Sequence, residues 1–206
     1  MTGKFPNTVI NRLTLYHCIL VDYIKNNLDT ITSSAIAALL KIDDSQVRKD
    51  ISLLKNTGKS RVGYLVSDLK NSIEKTLGFE RPKNAFIVGA GNLGMALANY
   101  NNFTDYGLNV VALFDNDKNK IGKKIKDKEI CDISELPALA EKLNIEMAIL
   151  TVPMAAAQDM ADFLTKSNIK YIWNFSPSVL DVPDGVEVWN ENLMGNFLQF
   201  SYKIGK

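Results

Sequence analysis

Ala85-Phe86-Ile87-Val88-Gly89-Ala90-Gly91-Asn92-Leu93-Gly94 is the stretch that decides how this chain is built. A run of apolar, β-prone residues enters Gly89, Gly91 and Gly94, and Met95-Ala96-Leu97-Ala98 continues in good helix formers. The spacing predicts strand, tight turn and helix. In such a turn the first glycine permits the bend and the second lets a pyrophosphate approach the backbone. The third lets the helix pack on the strand, with the helix N-terminus facing the phosphates. On the C-terminal side, Val110-Val111-Ala112-Leu113-Phe114-Asp115 reads as a second strand ending in an acid 21 residues past Gly94. An aspartate there can accept from both ribose hydroxyls of an adenosine and repels a 2′-phosphate, favouring NAD or NADH over NADP. The competing reading is a glycine-rich turn in a similar fold that binds nothing, or another nucleotide.

Further along, Asp117 to Lys128 reads as a lysine-rich surface loop, and Ser134 as the cap of a helix through Lys142. Met147 to Pro153 reads as a buried strand, Ala155 to Ser167 as a helix and Lys170 to Phe175 as another strand. Strands alternating with helices predict an α/β domain of Rossmann type, a parallel sheet covered on both faces. Thr151-Val152-Pro153 and Asn174-Phe175-Ser176, at the ends of the later strands, fall at the C-terminal edge where ligands of such sheets bind. Strand termination by proline is the plain alternative for both.

The 206 residues have room for two small domains, and 46% hydrophobic content is ordinary for a globular chain. No window offers the roughly 18 apolar residues of a membrane span, and the N-terminus lacks a signal-peptide core, so no membrane partner and a cytoplasmic location are expected. Cys18 and Cys131 lie far apart without metal-ligand spacing and read as reduced and structural; His17 reads as a packing or surface residue; no metal site is expected. Residues 1–83 carry 13 Lys+Arg against 8 Asp+Glu, a net of +5, whereas residues 84–206 carry 11 against 15, a net of −4. The basic half suits a polyanion.

In that half, Leu13, Tyr16, Leu20, Tyr23 and Ile24 recur at helical steps between about Asn7 and Asn27. Thr32-Ser33-Ser34 caps a short second helix through Leu40, and Asp43 with Gln46 resembles a capping pair for a third, Ser45 to Leu54. The third helix turns Val47, Ile51 and Leu54 inward and Ser45, Arg48, Lys49 and Ser52 outward, hydroxyls and cations suited to phosphates and base edges. A plain solvated face is the alternative. Lys55 through Val66, with cations Lys55, Lys59 and Arg61 around Ser60 and turns at Gly58 and Gly63, reads as a basic hairpin wing. Helix-turn-helix plus wing is a winged helix, which docks on double-stranded DNA. A helix starting at Ser67 follows, with Leu69, Ile73 and Leu77 on one stripe. Glu80-Arg81-Pro82-Lys83 is the boundary. The expected division is a winged-helix domain over residues 1–80, a Rossmann domain over residues 84–189 and a terminal helix over residues 190–206. On that helix, exposed Phe197, Leu198, Phe200 and Tyr202 call for a partner subunit.

A winged helix followed by an NAD-type Rossmann domain resembles the Rex family of redox-sensing transcriptional repressors over nearly the whole chain. The resemblance rests on Arg12-Leu13 with Leu15-Tyr16, Gln46-Val47-Arg48-Lys49-Asp50, Val62-Gly63-Tyr64, and Val88 through Gly94. It extends through Asn99-Tyr100, Phe114-Asp115 with Asp117, Ile121-Gly122, Ile149 through Pro153, and Asn174-Phe175 with Pro177. It implies a homodimer with domain-swapped C-terminal helices that binds operator DNA when NADH is low, releases it when NADH binds, and catalyses no reaction. It adds Gln46 and Tyr64 to the DNA-contacting set and Tyr100, near the nicotinamide, to the cofactor set of Gly89 to Gly94, Asp115, Thr151 to Pro153 and Asn174 to Ser176. Arg12 is implied to pair with a C-terminal aspartate, but Asn192 stands where that acid is usual, and an uncharged partner weakens the bond. Lys55, Lys59-Ser60-Arg61, Leu65 and Asn196 also depart from the family pattern. Two alternatives stay open: a small NAD-dependent oxidoreductase, for which no separate substrate domain or evident general acid is present, and a CoA-type or ligand-free dimerisation module on a DNA-binding protein.

Overall fold

The computed structural model describes residues 5–54 and 63–205, and the chain divides into two compact units, Met1–Arg81 and Pro82–Lys206. In the first, α1 (Asn7–Lys25) leads through β1 (Thr30–Ile31) to α2 (Ser33–Leu40) and α3 (Asp44–Leu53). After them, β2 (Tyr64–Leu65) passes into α4 (Val66–Leu77). Helical spacing brings Leu13, Tyr16 and Leu20 of α1 together with Ile36 of α2, Val47 and Ile51 of α3 and Leu69 and Ile73 of α4, all fully buried. Each such aliphatic side chain contributes about 1.5–3 kcal/mol on leaving water. Antiparallel pairing of Thr30 with Leu65 and Ile31 with Tyr64 joins the chain before α2 to the chain before α4.

Several local expectations change. The Thr32 side chain caps α2 by accepting from Ala35 N, as the hydroxyl run suggests. On α3, Asp43 accepts from Ser45 N, but Gln46 does not complete a capping pair, because its amide donates to Asp50 instead. α4 begins at Val66, which the sequence places in the wing, because Val66 is buried and its N–H donates to Asp29 O. The wing residues Lys55, Lys59, Ser60 and Arg61 lie outside the described residues. His17 is buried with Nε2 3.0 Å from Glu74 Oε1 and its ring edge-on to Phe79 at 4.9 Å, which ties α1 to α4. Cys18 is exposed on α1, and neither cysteine is in a disulfide.

The second unit is an α/β sandwich. β3 (Lys83–Val88), α5 (Asn92–Ala98) and β4 (Leu108–Asp115) are followed by β5 (Lys124–Ile125), β6 (Lys128–Asp132) and α6 (Leu136–Leu143). Then come β7 (Met147–Leu150), α7 (Met154–Lys166), β8 (Tyr171–Asn174), β9 (Glu187–Asn190) and α8 (Leu193–Ile204). The sheet order is β5-β6-β4-β3-β7-β8-β9, parallel except for β5. Alternation along β3 sends Phe86 and Val88 to one face, with Phe114, Leu150 and α6 and α7, and Ala85 and Ile87 to the other, with Leu113, Ile149 and Ala98 of α5. Strand order reverses at β3, so the crevice beyond its C-terminal end, between β4 and β7, is the switch point of the sheet.

Here too the boundaries move. α5 ends at Ala98, short of Tyr100, and a 3-10 turn, Asn101–Tyr106, follows. The lysine-rich loop contains β5, which folds back on β6. Asp132, not Ser134, supplies the cap before α6: it accepts from Ser134 N while Glu135 accepts from Asp132 N, a capping box that runs through a 3-10 turn.

Candidate functional site

The glycine turn is held from both sides. Gly89 N donates to Phe114 O at 2.8 Å, Thr151 N donates to Val88 O at 2.8 Å, and the Thr151 hydroxyl donates to Gly89 O at 2.8 Å. Gly89 has φ +101°, and a Cβ there would meet Thr151 O at 2.8 Å, so only glycine fits both the backbone and the space. At Gly94 a Cβ would meet Gly89 O at 2.0 Å, which brings α5 against the loop without a side chain between them. Gly91 differs from both: a Cβ added there meets nothing within 4 Å. It borders a groove of about 750 Å³, and no side chain caps the first turn of α5 that begins after it. Open backbone beside uncapped helix amides is what an approaching phosphate requires.

Asp115 ends β4 at the same groove. Its Oδ2 accepts from Ala90 N at 2.8 Å and from Lys120 Nζ at 2.9 Å, and its Oδ1 accepts from Asp117 N at 2.9 Å. Burial pushes this carboxyl up, but the Asp117 amide, the Lys120 ammonium and the Ala90 amide outweigh burial and hold it below the usual carboxylate range. Asp115 therefore also organises the glycine loop, a role its position in the sequence does not reveal.

The expected ligand residues separate into two groups. Gly89, Gly91, Asn92, Leu93, Asp115, Thr151, Val152, Pro153 and Phe175 line the groove. Ala90 and Gly94 shape it from behind, Ala90 fully buried and Gly94 packed on Gly89. Asn174 and Ser176 do not line the groove: Asn174 donates to Ser178 O and Asn190 Oδ1 and accepts from Ser176 N, while the Ser176 hydroxyl donates to Val152 O. Both are buried and fasten the strand ends. Tyr100 lies apart from the groove, packing edge-on against Phe103 and lining a separate cavity of about 330 Å³ with Lys126. The sequence reading missed Lys120, together with Ile133, Ala156 and Met160, which give the groove its apolar wall. The loop after the second strand of such a sheet always borders the crevice, and that was the available signal for Lys120.

In the first unit, Ser45, Arg48, Lys49 and Ser52 are exposed on α3, opposite the buried Val47 and Ile51. Arg48 Nη2 lies 2.9 Å from Asp44 Oδ2, and the Ser52 hydroxyl donates to Lys49 O. Tyr64 is half-buried and packs on the hydrophobic core. Gln46 belongs to a network the sequence did not announce. Asp50, 1% exposed, accepts from Arg12 Nε at 2.6 Å, Arg12 Nη2 at 2.8 Å, Tyr16 OH at 2.8 Å and Gln46 Nε2 at 2.9 Å. Arg12, implied to pair with a C-terminal acid, thus already has a bidentate carboxylate within its own unit, which raises the guanidinium pKa further. Asn192 caps α8, accepting from Gly195 N at 2.8 Å.

Residues 4–52 match the model of a putative DNA-binding protein N-terminus, and residues 80–178 match that of a CoA binding domain. The redox-sensing transcriptional repressor Rex of Clostridium botulinum is 42% identical over 198 residues, 96% of this chain and 94% of that protein. The chain belongs to the Rex family. Among solved structures, the Rex-family repressor RSP in complex with β-NAD+ and operator DNA is 36% identical with a TM-score of 0.88, covering 98% of this chain and 93% of that one. RSP in complex with β-NADH is 36% identical with a TM-score of 0.81, covering 97% and 94%. Both Rex units, the helical N-terminal one and the parallel-sheet one, are spanned by these likenesses. Among the described residues, no cluster of side chains could hold a metal ion and no helix is long and apolar enough to cross a membrane.

Proposed function

We propose that this chain is an NAD(H)-responsive transcriptional repressor of the cytoplasm, which binds operator double-stranded DNA as a homodimer and is released from it by NADH. The observation that carries the reading is Gly91: it is open where Gly89 and Gly94 are closed, beside the uncapped first turn of α5 and in the groove that Asp115 also lines. Those residues suit a dinucleotide. Gly91 and the first-turn amides of α5 would take its pyrophosphate, Asp115 its adenosine ribose, and Ile133, Ala156 and Met160 an apolar ring. A bound dinucleotide supplies binding free energy and no reaction.

Residues 1–80 form the DNA-reading domain in this proposal, with Ser45, Arg48, Lys49 and Ser52 of α3 on bases and phosphates and Lys55, Lys59, Ser60 and Arg61 on the backbone. Residues 84–189 hold the dinucleotide and residues 190–206 the dimer. On α8, Leu193, Phe197, Leu198, Phe200 and Tyr202 are all more than half exposed, an apolar surface that a second copy of the chain would cover by exchange of helices. Release requires that NADH bind the form unable to grip DNA more tightly than the form able to do so; equal affinity for both would shift nothing.

A titration with NADH, followed at once by heat and by release of a labelled palindromic operator, tests this. Heat without release separates the pocket from the signal, and release without heat removes the pocket. Coenzyme A is the second reading, favoured by the CoA-binding model matched at residues 80–178. Heat with CoA and none with NADH or NAD would establish it in place of the first.

A further inference from the structure

Lys120 sits in the ribose corner of the groove, where the glycine fingerprint contains no cation. Its ammonium lies 2.9 Å from Asp115 Oδ2, on a side chain 36% exposed, and it lines the groove with Asp115 and Asp117. Oδ2 already takes two donors, Ala90 N and Lys120 Nζ, and Oδ1 takes one, Asp117 N. Each carboxylate oxygen offers about two lone-pair positions, so a single acceptor site is left on Asp115. Two ribose hydroxyls cannot both donate to this carboxylate while Lys120 keeps its place. The charge at the corner is also altered. An isolated aspartate repels a 2′-phosphate, whereas an aspartate paired with an ammonium carries no net charge.

We propose that the Asp115–Lys120 pair, and not Asp115 by itself, sets how this chain discriminates NADH from NADPH. This inference rests on the dinucleotide reading of the groove. Lys120 is a latent partner for a 2′-phosphate, and Asp115 keeps it engaged. In the paired state one ribose hydroxyl donates to the open position on Asp115 Oδ1, and the lysine, a compact cation with two further N–H groups, donates to a hydroxyl oxygen. With the aspartate charge removed, the same ammonium is released onto whatever anion stands at the 2′ position. Asp117 adds a second carboxylate at the groove, with Oδ1 accepting from Asn119 N and Nδ2, and its repulsion of a 2′-phosphate persists in every variant below.

The test is calorimetry of the full chain with NADH and with NADPH, weak binding being read by displacement, for the wild type, Asp115→Asn, Asp115→Asn/Lys120→Met and Lys120→Met. Asp115→Asn is expected to move the NADPH-to-NADH preference toward NADPH by about tenfold or more, and the added Lys120→Met to remove most of that gain. Lys120→Met alone is expected to move the preference the other way, toward NADH, by about threefold or more. A double variant that gains as much as Asp115→Asn overturns the proposal, because loss of repulsion would then suffice. So does a Lys120→Met ratio equal to the wild type's. Asp115 also holds Ala90, so where Asp115→Asn disturbs the loop the Lys120→Met ratio decides, because that variant keeps both backbone bonds to the carboxylate. A wild type that binds no NADH fails the dinucleotide reading itself. A wild type that binds NADH with a ratio indifferent to Lys120 fails this inference alone.

Discussion

Replacing Asp50 with asparagine removes one negative charge at the point where α1 and α3 are tied together. The two carboxylate oxygens receive two donors each: Arg12 Nε and Tyr16 OH on Oδ2, and Arg12 Nη2 and Gln46 Nε2 on Oδ1. Asparagine keeps one oxygen with its two donors and sets an NH2 group against the other two. Two hydrogen bonds to a charged acceptor are lost, at about 1.5–3 kcal/mol each, and removing one partner of a buried ion pair costs about 3–5 kcal/mol in total. The Arg12 side chain is 25% exposed and can recover water, so the lower end applies, about 3 kcal/mol. Urea unfolding of the full chain, read by amide exchange in α1 and α3, measures the loss. Both tryptophans, Trp173 and Trp189, lie in the other unit, so their fluorescence follows that unit separately. With a slope of about 1–3 kcal/mol per M, the midpoint for α1 and α3 falls by about 1 M or more.

The pH dependence supplies a second check on the same residue. Burial pushes the Asp50 carboxyl up, but hydrogen bonds from Arg12, Tyr16 and Gln46 outweigh burial and hold it below the ordinary range. A carboxyl with a lower pKa folded than unfolded stabilises the fold above the unfolded value, about 3.9, and that contribution is lost as pH falls through the folded value. The gap between wild type and Asp50→Asn should stay constant from neutrality down to about pH 5 and narrow only below about pH 4. A midpoint within about 0.3 M of wild type at pH 7 would refute the reasoning, as would a gap that persists undiminished into strong acid.

Two glycine variants should behave oppositely. Gly94→Ala places a methyl 2.0 Å from Gly89 O and should destabilise the sheet unit by about 2 kcal/mol or more in denaturant melts. Gly91→Ala meets nothing and should leave stability within about 0.5 kcal/mol while weakening NADH by about tenfold or more in calorimetry. Arg48→Ala should weaken operator binding in gel shifts and lower the slope of log affinity against log salt by about one; an unchanged slope removes α3 from the interface. Phe197→Glu, at a position 56% exposed on α8, should convert dimer to monomer in sedimentation at micromolar concentration, and a persisting dimer places the subunit contact elsewhere.

Those contrasts show which parts of the molecule can be read from residue order. The strand, turn and helix at Ala85 to Ala98 were legible because glycine spacing and apolar runs are local signals, and the inward stripe of Val47, Ile51 and Leu54 because periodicity is local too. What stayed hidden depends on how the backbone folds back to bring partners together, near or far along the chain. Asn174 at a strand end and Asp50 beside the cations of α3 look alike in sequence, polar groups available to a ligand or to DNA. Folded, Asn174 is satisfied by Ser176, Ser178 and Asn190, and Asp50 by Arg12, which is 38 residues away in sequence. The β5 turn-back and the 3-10 turn after α5 were missed because neither carries an apolar repeat long enough to mark it. Asp115 shows why residue type alone is not a site assignment. It stands where a ribose-binding acid should, yet three of its acceptor positions are already filled by the protein, so in the proposed reading ligand recognition and loop architecture draw on one carboxylate. Any substitution there changes both at once, and only a neighbour such as Lys120, which touches the carboxylate but not the glycine loop's backbone, can separate them.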